Sequence, residues 1–186
     1  MAASRAIDPL RLDVAAFAAA EGELAGVWPA EQLPRLVSAT LPPPDGQARA
    51  DIDWRVEGER RVLLGAGIRP SLQIEASTEV TLECQRCLQP LRLFLEAERR
   101  LYFVEGEDAA AALDAENEDD VLALAPALDL QALVEDELLL ALPLVPRHVV
   151  CPEPLPRALV EDDPAHQGAD HPFAALAALK QGSRPN

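Results

Sequence analysis

A chain of 186 residues with a net charge of −16 is long enough for one core-bearing domain and too acidic for its whole surface to hold a phosphate backbone. Apolar residues make up 49% of it and aromatics only 4%, so aliphatic side chains and alanine must fill the core. No run of about 18 apolar residues occurs and the N-terminus lacks an apolar leader core, so neither a membrane span nor a secretory signal is expected.

Three cysteines, two of them only three positions apart, make a poor disulfide framework and suit a reducing cytoplasm. The charge is uneven. Residues 105–120 hold eight acids and no base, whereas residues 49–104 hold nine of each. Fifteen of the sixteen bases are arginine, and Lys180 is the one lysine. A local arginine patch or a basic protein partner fits this distribution better than a broadly basic surface does.

In chain order, residues 1–46 read as an N-terminal arm. Ile7, Leu10, Leu12 and Val14 alternate with polar or small residues and predict a short strand, and 31–37 reads as a helical turn or a loop. Three prolines at 42–44 followed by Asp45-Gly46 end the arm. The core, 47–151, begins with Ile52, Trp54 and Val56 alternating with Asp51, Asp53 and Arg55. Glu57-Gly58-Glu59 then reads as a turn into a second strand at 60–65.

The cleanest signal follows. Leu72, Ile74, Ala76, Thr78, Val80, Leu82 and Cys84 share one parity, with polar residues between them: a long half-buried strand. Leu91, Leu93, Leu95, Ala97, Leu101 and Phe103 repeat the pattern, and Arg99 interrupts it, as at a bulge or a sheet edge. The stretch CQRCLQP is therefore a connector between two long antiparallel strands.

Residues 105–120 read as an acidic, mobile, solvated loop, because no apolar face exists to bury. Val121 to Leu124 predict a short strand. Asp129 is placed to cap a helix over 129–142 whose stripe is Leu130, Leu133, Val134, Leu138 and Ala141, with Glu137 as the polar intruder and Glu135 and Asp136 facing water. Pro143 ends it. A proline- and acid-rich linker at 152–170 leads to a short amphipathic helix at 172–181, opened by Pro172 and followed by a tail to 186.

Two compact motifs carry metal-ligand chemistry. Cys84-x2-Cys87 and His148-x2-Cys151 form matched knuckles, and three cysteines with one histidine are a standard tetrahedral zinc set. The competing reading is four residues that simply end a strand and follow a helix. A thiol redox role fits less well, since redox CxxC pairs sit at helix N-termini and this one lies between strands.

Arg86, between the cysteines, and nearby Arg92 are candidate partner contacts. Glu137, on the apolar stripe, needs an arginine partner, for which Arg86 or Arg92 is the natural choice. Nucleotide-binding, metalloprotease and hydrolase motifs are absent, which points to a binding protein rather than an enzyme.

Three segments together, CQRCLQPL (84–91), DLQALVEDELLLALPLVPRHVVC (129–151) and HPFAALAALK (171–180), resemble the YceD family, the large ribosomal RNA subunit accumulation proteins. The resemblance spans roughly 45–181, with His171 standing where the family usually has asparagine. It implies a bacterial cytoplasmic protein needed for accumulation, processing or stability of large-subunit (23S) ribosomal RNA, and it implies no catalytic mechanism.

The fold expected is α+β: a curved, partly barrel-like antiparallel sheet of about five or six strands, with the 129–142 helix and the C-terminal helix packed on it. The function expected is a non-enzymatic ribosome biogenesis factor that binds a pre-ribosomal component, ribosomal protein or rRNA, with no small-molecule substrate and with zinc as a candidate structural cofactor. The alternative is a zinc- or thiol-dependent RNA-processing enzyme using the same cysteines and histidine.

Overall fold

The structure is a computed structural model and describes residues 7–152. The linker beyond Pro152 and the C-terminal helix expected at 172–181 lie outside the described residues. The fold is α+β. In order come helix α1 (Val14–Ala19), strand β1 (Glu23–Trp28), helix α2 (Pro34–Ala39) and strands β2 (Ile52–Leu63), β3 (Gly67–Glu83) and β4 (Pro90–Val104). Helix α3 (Glu107–Asp114), strand β5 (Asp120–Ala123) and helix α4 (Leu130–Leu140) follow.

The five strands form one sheet in sequence order. The first three pairings are antiparallel and β4–β5 is parallel. The sheet is thus mixed and not closed into a barrel.

Period-2 patterning builds the middle of the sheet. Every inward residue read from β3's sequence, Leu72 through Cys84, is buried, as are Ile52, Trp54 and Val56 of β2. α1, α2 and α4 cover that face, joining Leu12, Val14, Phe17, Leu36, Leu130, Val134 and Leu138 to it in one core.

The turn expected at 57–59 does not form, because β2 runs straight through it. Gly58 is there for space: a Cβ on it would lie 2.5 Å from Cδ1 of Phe17, the residue by which α1 packs on the sheet. The reversal comes later, around Gly65 and Gly67, both at positive φ.

The arm also departs from expectation. The stretch expected as a strand near Leu12 is a 3-10 turn, a single bridge from Leu12 to Leu128, and then α1, capped by Asp13. The edge strand in the arm is β1, which pairs Gly26 opposite Trp54.

The acidic stretch 105–120, expected as a loop, instead carries α3 and leads into β5. Parallel pairing requires a crossover of a dozen or more residues, and this segment supplies it. Ala110 and Leu113 pack with Leu63, Tyr102, Val104 and Val121 in a second, smaller core. By strand alternation Tyr102 and Val104 point to the opposite face from Leu101 and Phe103, so α3 covers one end of the side of the sheet that the other helices leave open. Among the described residues no helix is long and apolar enough to cross a membrane.

Candidate metal centre

Between Glu83 and Pro90 the chain curls tightly. Leu88 donates its amide to the Cys84 carbonyl at 2.8 Å, Cys84 donates to the Gln89 carbonyl at 3.0 Å, and Leu88 adopts a φ of 60°. That curl turns the Cys84 and Cys87 sulfurs toward a common point. The second motif arrives from α4. Asp129 caps that helix by accepting from the Ala132 amide, and the chain beyond its C-terminus bends through Pro143 and Pro146 without helix or strand. Gln85 donates to the Pro146 carbonyl at 2.8 Å, which docks the exit segment against the hairpin turn.

His148 and Cys151 then meet the two hairpin cysteines. The four ligand atoms all lie within 4.8 Å of one another. The Cys87 sulfur is 3.4 Å from His148 Nδ1. On the other side of the ring, Nε2 lies 3.2 Å from the Pro90 carbonyl. A carbonyl only accepts, so Nε2 carries the proton and Nδ1 turns its lone pair to the sulfurs, as metal-bound imidazoles do.

Zn–S bonds of about 2.3 Å and Zn–N bonds of about 2.0 Å give tetrahedral edges of roughly 3.5–3.8 Å. The observed spacing therefore reaches that geometry with small side-chain adjustments. The residues present fit a zinc ion.

The electrostatics agree. Cys84 is fully buried, and burial pushes its thiol up. The backbone amides of His148, Arg86 and Cys87 point at its sulfur and more than reverse that, bringing it down to about 5. Cys87 moves the other way, raised first by burial and then by the neighbouring sulfurs of Cys151 and Cys84. One sulfur is thus held ready as a thiolate, while crowding with other sulfurs opposes charge on the next. A divalent cation among them removes that opposition.

The other residues singled out from sequence are distributed as follows. Arg86 is exposed, yet its Nε donates to the Cys151 sulfur at 3.1 Å and its Nη2 to the His148 carbonyl at 3.3 Å. Arg92 lies on the outer face, donating to Gln47 at 3.1 Å with Glu79 at 3.7 Å. Glu137 is buried, and its partner is neither of these but Arg99, at 3.4 Å. Arg99, which interrupts β4's apolar series, and Glu137, which interrupts α4's, are each other's explanation. Asp120 sits 3.4 Å from the same guanidinium.

Glu135, expected in water, is buried. It accepts from the Arg35 and Leu36 amides at 2.6 and 3.0 Å and from Arg35 Nε at 2.8 Å, thereby capping α2, which has no side-chain cap of its own. Asp136 binds the same guanidinium. Sequence reasoning missed this clasp because α2 and α4 are about a hundred residues apart.

The profile of the YceD family, described as large ribosomal RNA subunit accumulation protein YceD, matches residues 72–180. That range takes in most of β3, the hairpin turn, both knuckles and α4. The chain belongs to the YceD family. It is 32% identical over 179 residues to the large ribosomal RNA subunit accumulation protein YceD of Haemophilus influenzae, covering 93% of this chain and 96% of the relative. No solved structure matches the chain. The likeness to the Haemophilus YceD extends through the arm as well, so the α2–α4 clasp falls inside the aligned length.

Proposed function

We propose that this chain supports accumulation of large-subunit ribosomal RNA as a non-enzymatic binding protein in the cytoplasm, with Cys84, Cys87, His148 and Cys151 holding a structural zinc ion that fixes its binding end. Zinc, when bound, would supply four bonds that tie the β3–β4 turn to the chain leaving α4. Three thiolates and an imidazole fill all four positions, whereas a catalytic zinc keeps one open for water or substrate. The donor set therefore favours the structural role over the RNA-processing enzyme.

The observation that carries the binding reading is the charge of this end. In a chain of net charge −16, residues 84–95 hold Arg86 and Arg92 and no acid, and residues 138–152 hold Arg147 and no acid. Exposed Phe94, Leu88, Val149 and Val150 accompany them. Arginine with exposed apolar and aromatic side chains suits structured RNA, through phosphate contact and base packing.

The test begins with deletion of the gene, which should lower the ratio of large to small ribosomal subunits. A charge-reversed variant, Arg92→Glu with Arg147→Glu, should then fail to restore the ratio and should lose co-purifying large-subunit RNA while keeping its zinc. An unchanged subunit ratio on deletion would sink the role. RNase-resistant capture of a ribosomal protein by the wild type would move the partner from RNA to protein.

A further inference from the structure

Arg86 offers the deepest unclaimed geometry in the molecule. It stands between two cysteines on an exposed turn, where a free guanidinium would serve a partner, yet two of its nitrogens are turned back on the cluster. Nε donates to the Cys151 sulfur at 3.1 Å and Nη2 to the His148 carbonyl at 3.3 Å. Among the described residues no carboxylate lies within ion-pair distance of Arg86, so the sulfur and the carbonyl are the partners its guanidinium has.

We infer that Arg86 is a positioning residue of the metal centre: it balances the charge of the zinc-bound set and holds the Cys151 knuckle in place. The inference rests on the zinc reading given above. A zinc ion, three thiolates and a neutral imidazole sum to one negative charge, and one guanidinium cancels it. Cys151 is the ligand that most needs this help. Cys84 is fully buried and accepts from the His148 amide at 3.4 Å, and His148 is oriented by the Pro90 carbonyl. Cys151 lies at the end of the exit segment, and Arg86 is the side chain that reaches it.

The fork also explains the choice of arginine. One planar group reaches a sulfur and a carbonyl of the same knuckle at once, which a lysine ammonium does less well. Arg86 thus recognises the far knuckle from within the near one.

The test uses full-length protein loaded with zinc and titrated against a chromophoric chelator, with Arg69→Met as control at the far end of β3. Loss of an outer contact of this kind typically costs about tenfold to a hundredfold in metal affinity. Arg86→Met should show that loss, Arg86→Lys a smaller one, and Arg69→Met none. With cobalt in place of zinc, the sulfur-to-metal charge-transfer band should shift in Arg86→Met, a change that a merely structural role would not produce.

A wild-type protein that retains no zinc would overturn the zinc reading itself. Wild type and Arg86→Met holding zinc equally tightly would overturn the role of Arg86 alone. So would an Arg86→Lys variant no closer to wild type than Arg86→Met, or an unshifted cobalt band.

Discussion

Along α4 three carboxylates meet two arginines, while beyond its C-terminus three sulfurs and an imidazole meet one another. Both arrangements fasten the same stretch of chain to the rest of the fold. The first is complete as it stands. Glu135 receives two amides and a guanidinium nitrogen, and Asp136 and Glu137 each face an arginine. Donors oppose acceptors throughout, which is how buried charge is kept in a fold.

The second brings Lewis bases together. Its donors approach from the periphery, at Cys84 from backbone amides and at Cys151 from Arg86, and leave the lone pairs facing inward. A clasp of donors and acceptors needs no third component. A ring of acceptors holds once a cation lies inside it.

With zinc bound as proposed, removing the cation should give the largest effect. Cys87→Ser should drop bound zinc from about one to below about 0.2 per chain, and a strong chelator should do the same to the wild type. In both cases the thermal midpoint should fall by roughly 10 °C or more, given the size of structural zinc contributions. A midpoint unmoved by either treatment would place the two fastenings in one class and leave the sulfur cluster as mere packing.

The next effect in size belongs to the clasp. Glu135→Ala strands two first-turn amides of α2 and removes one of the two carboxylates that hold Arg35, leaving Asp136. A cost of about 2–3 kcal/mol follows from the lost acceptor and the orphaned donors. That amounts to roughly 4–12 °C in this size range, and it should be the same with and without chelator. Glu135→Gln, which keeps an acceptor oxygen, should recover part of it. Chelator-dependent loss would mean that the two fastenings are coupled rather than separate.

What could be read from the sequence divides along physical lines. Period-2 alternation fixes side-chain facing wherever a strand has one wet face, so β3 and the inward half of β2 were legible residue by residue. The helix at α4 was legible from its stripe and its Asp129 cap. The knuckles were legible as a ligand set because spacing within each is local, although their meeting depends on the Gln85–Pro146 contact, which no local pattern announces.

Gly58 misled because glycine marks a turn and a close approach with the same letter. The acidic stretch misled because its buried side is only Ala110 and Leu113, and alanine scarcely registers as an apolar face. Arg99 and Glu137 were each visible as an irregularity. What was not visible is that β4 and α4 lie against each other, which turns two irregularities into one pair.

That pair supplies the smallest of the effects. Arg99 is 46% exposed, so its attraction to Glu137 is screened, while Glu137 at 9% exposure has given up most of its water. Arg99→Met should cost about 1 kcal/mol, since Glu137 then keeps its burial without its partner, and the cost stays below that of losing Glu135 because the Arg99 guanidinium is half-exposed. Replacing both, Arg99→Met with Glu137→Met, should bring the midpoint back to within a degree or two of wild type, since an apolar pair of similar size fills the seam between β4 and α4 without any charge to desolvate.

The cycle separates two meanings of the interruption in the stripe. If the double variant is near wild type, the pair selects the register of α4 on the sheet and contributes little stability of its own. A double variant less stable than Arg99→Met alone would mean that Glu137 draws on something other than Arg99. The carboxylate clasp would then be less self-sufficient than its hydrogen bonds make it, and closer in kind to the sulfur cluster.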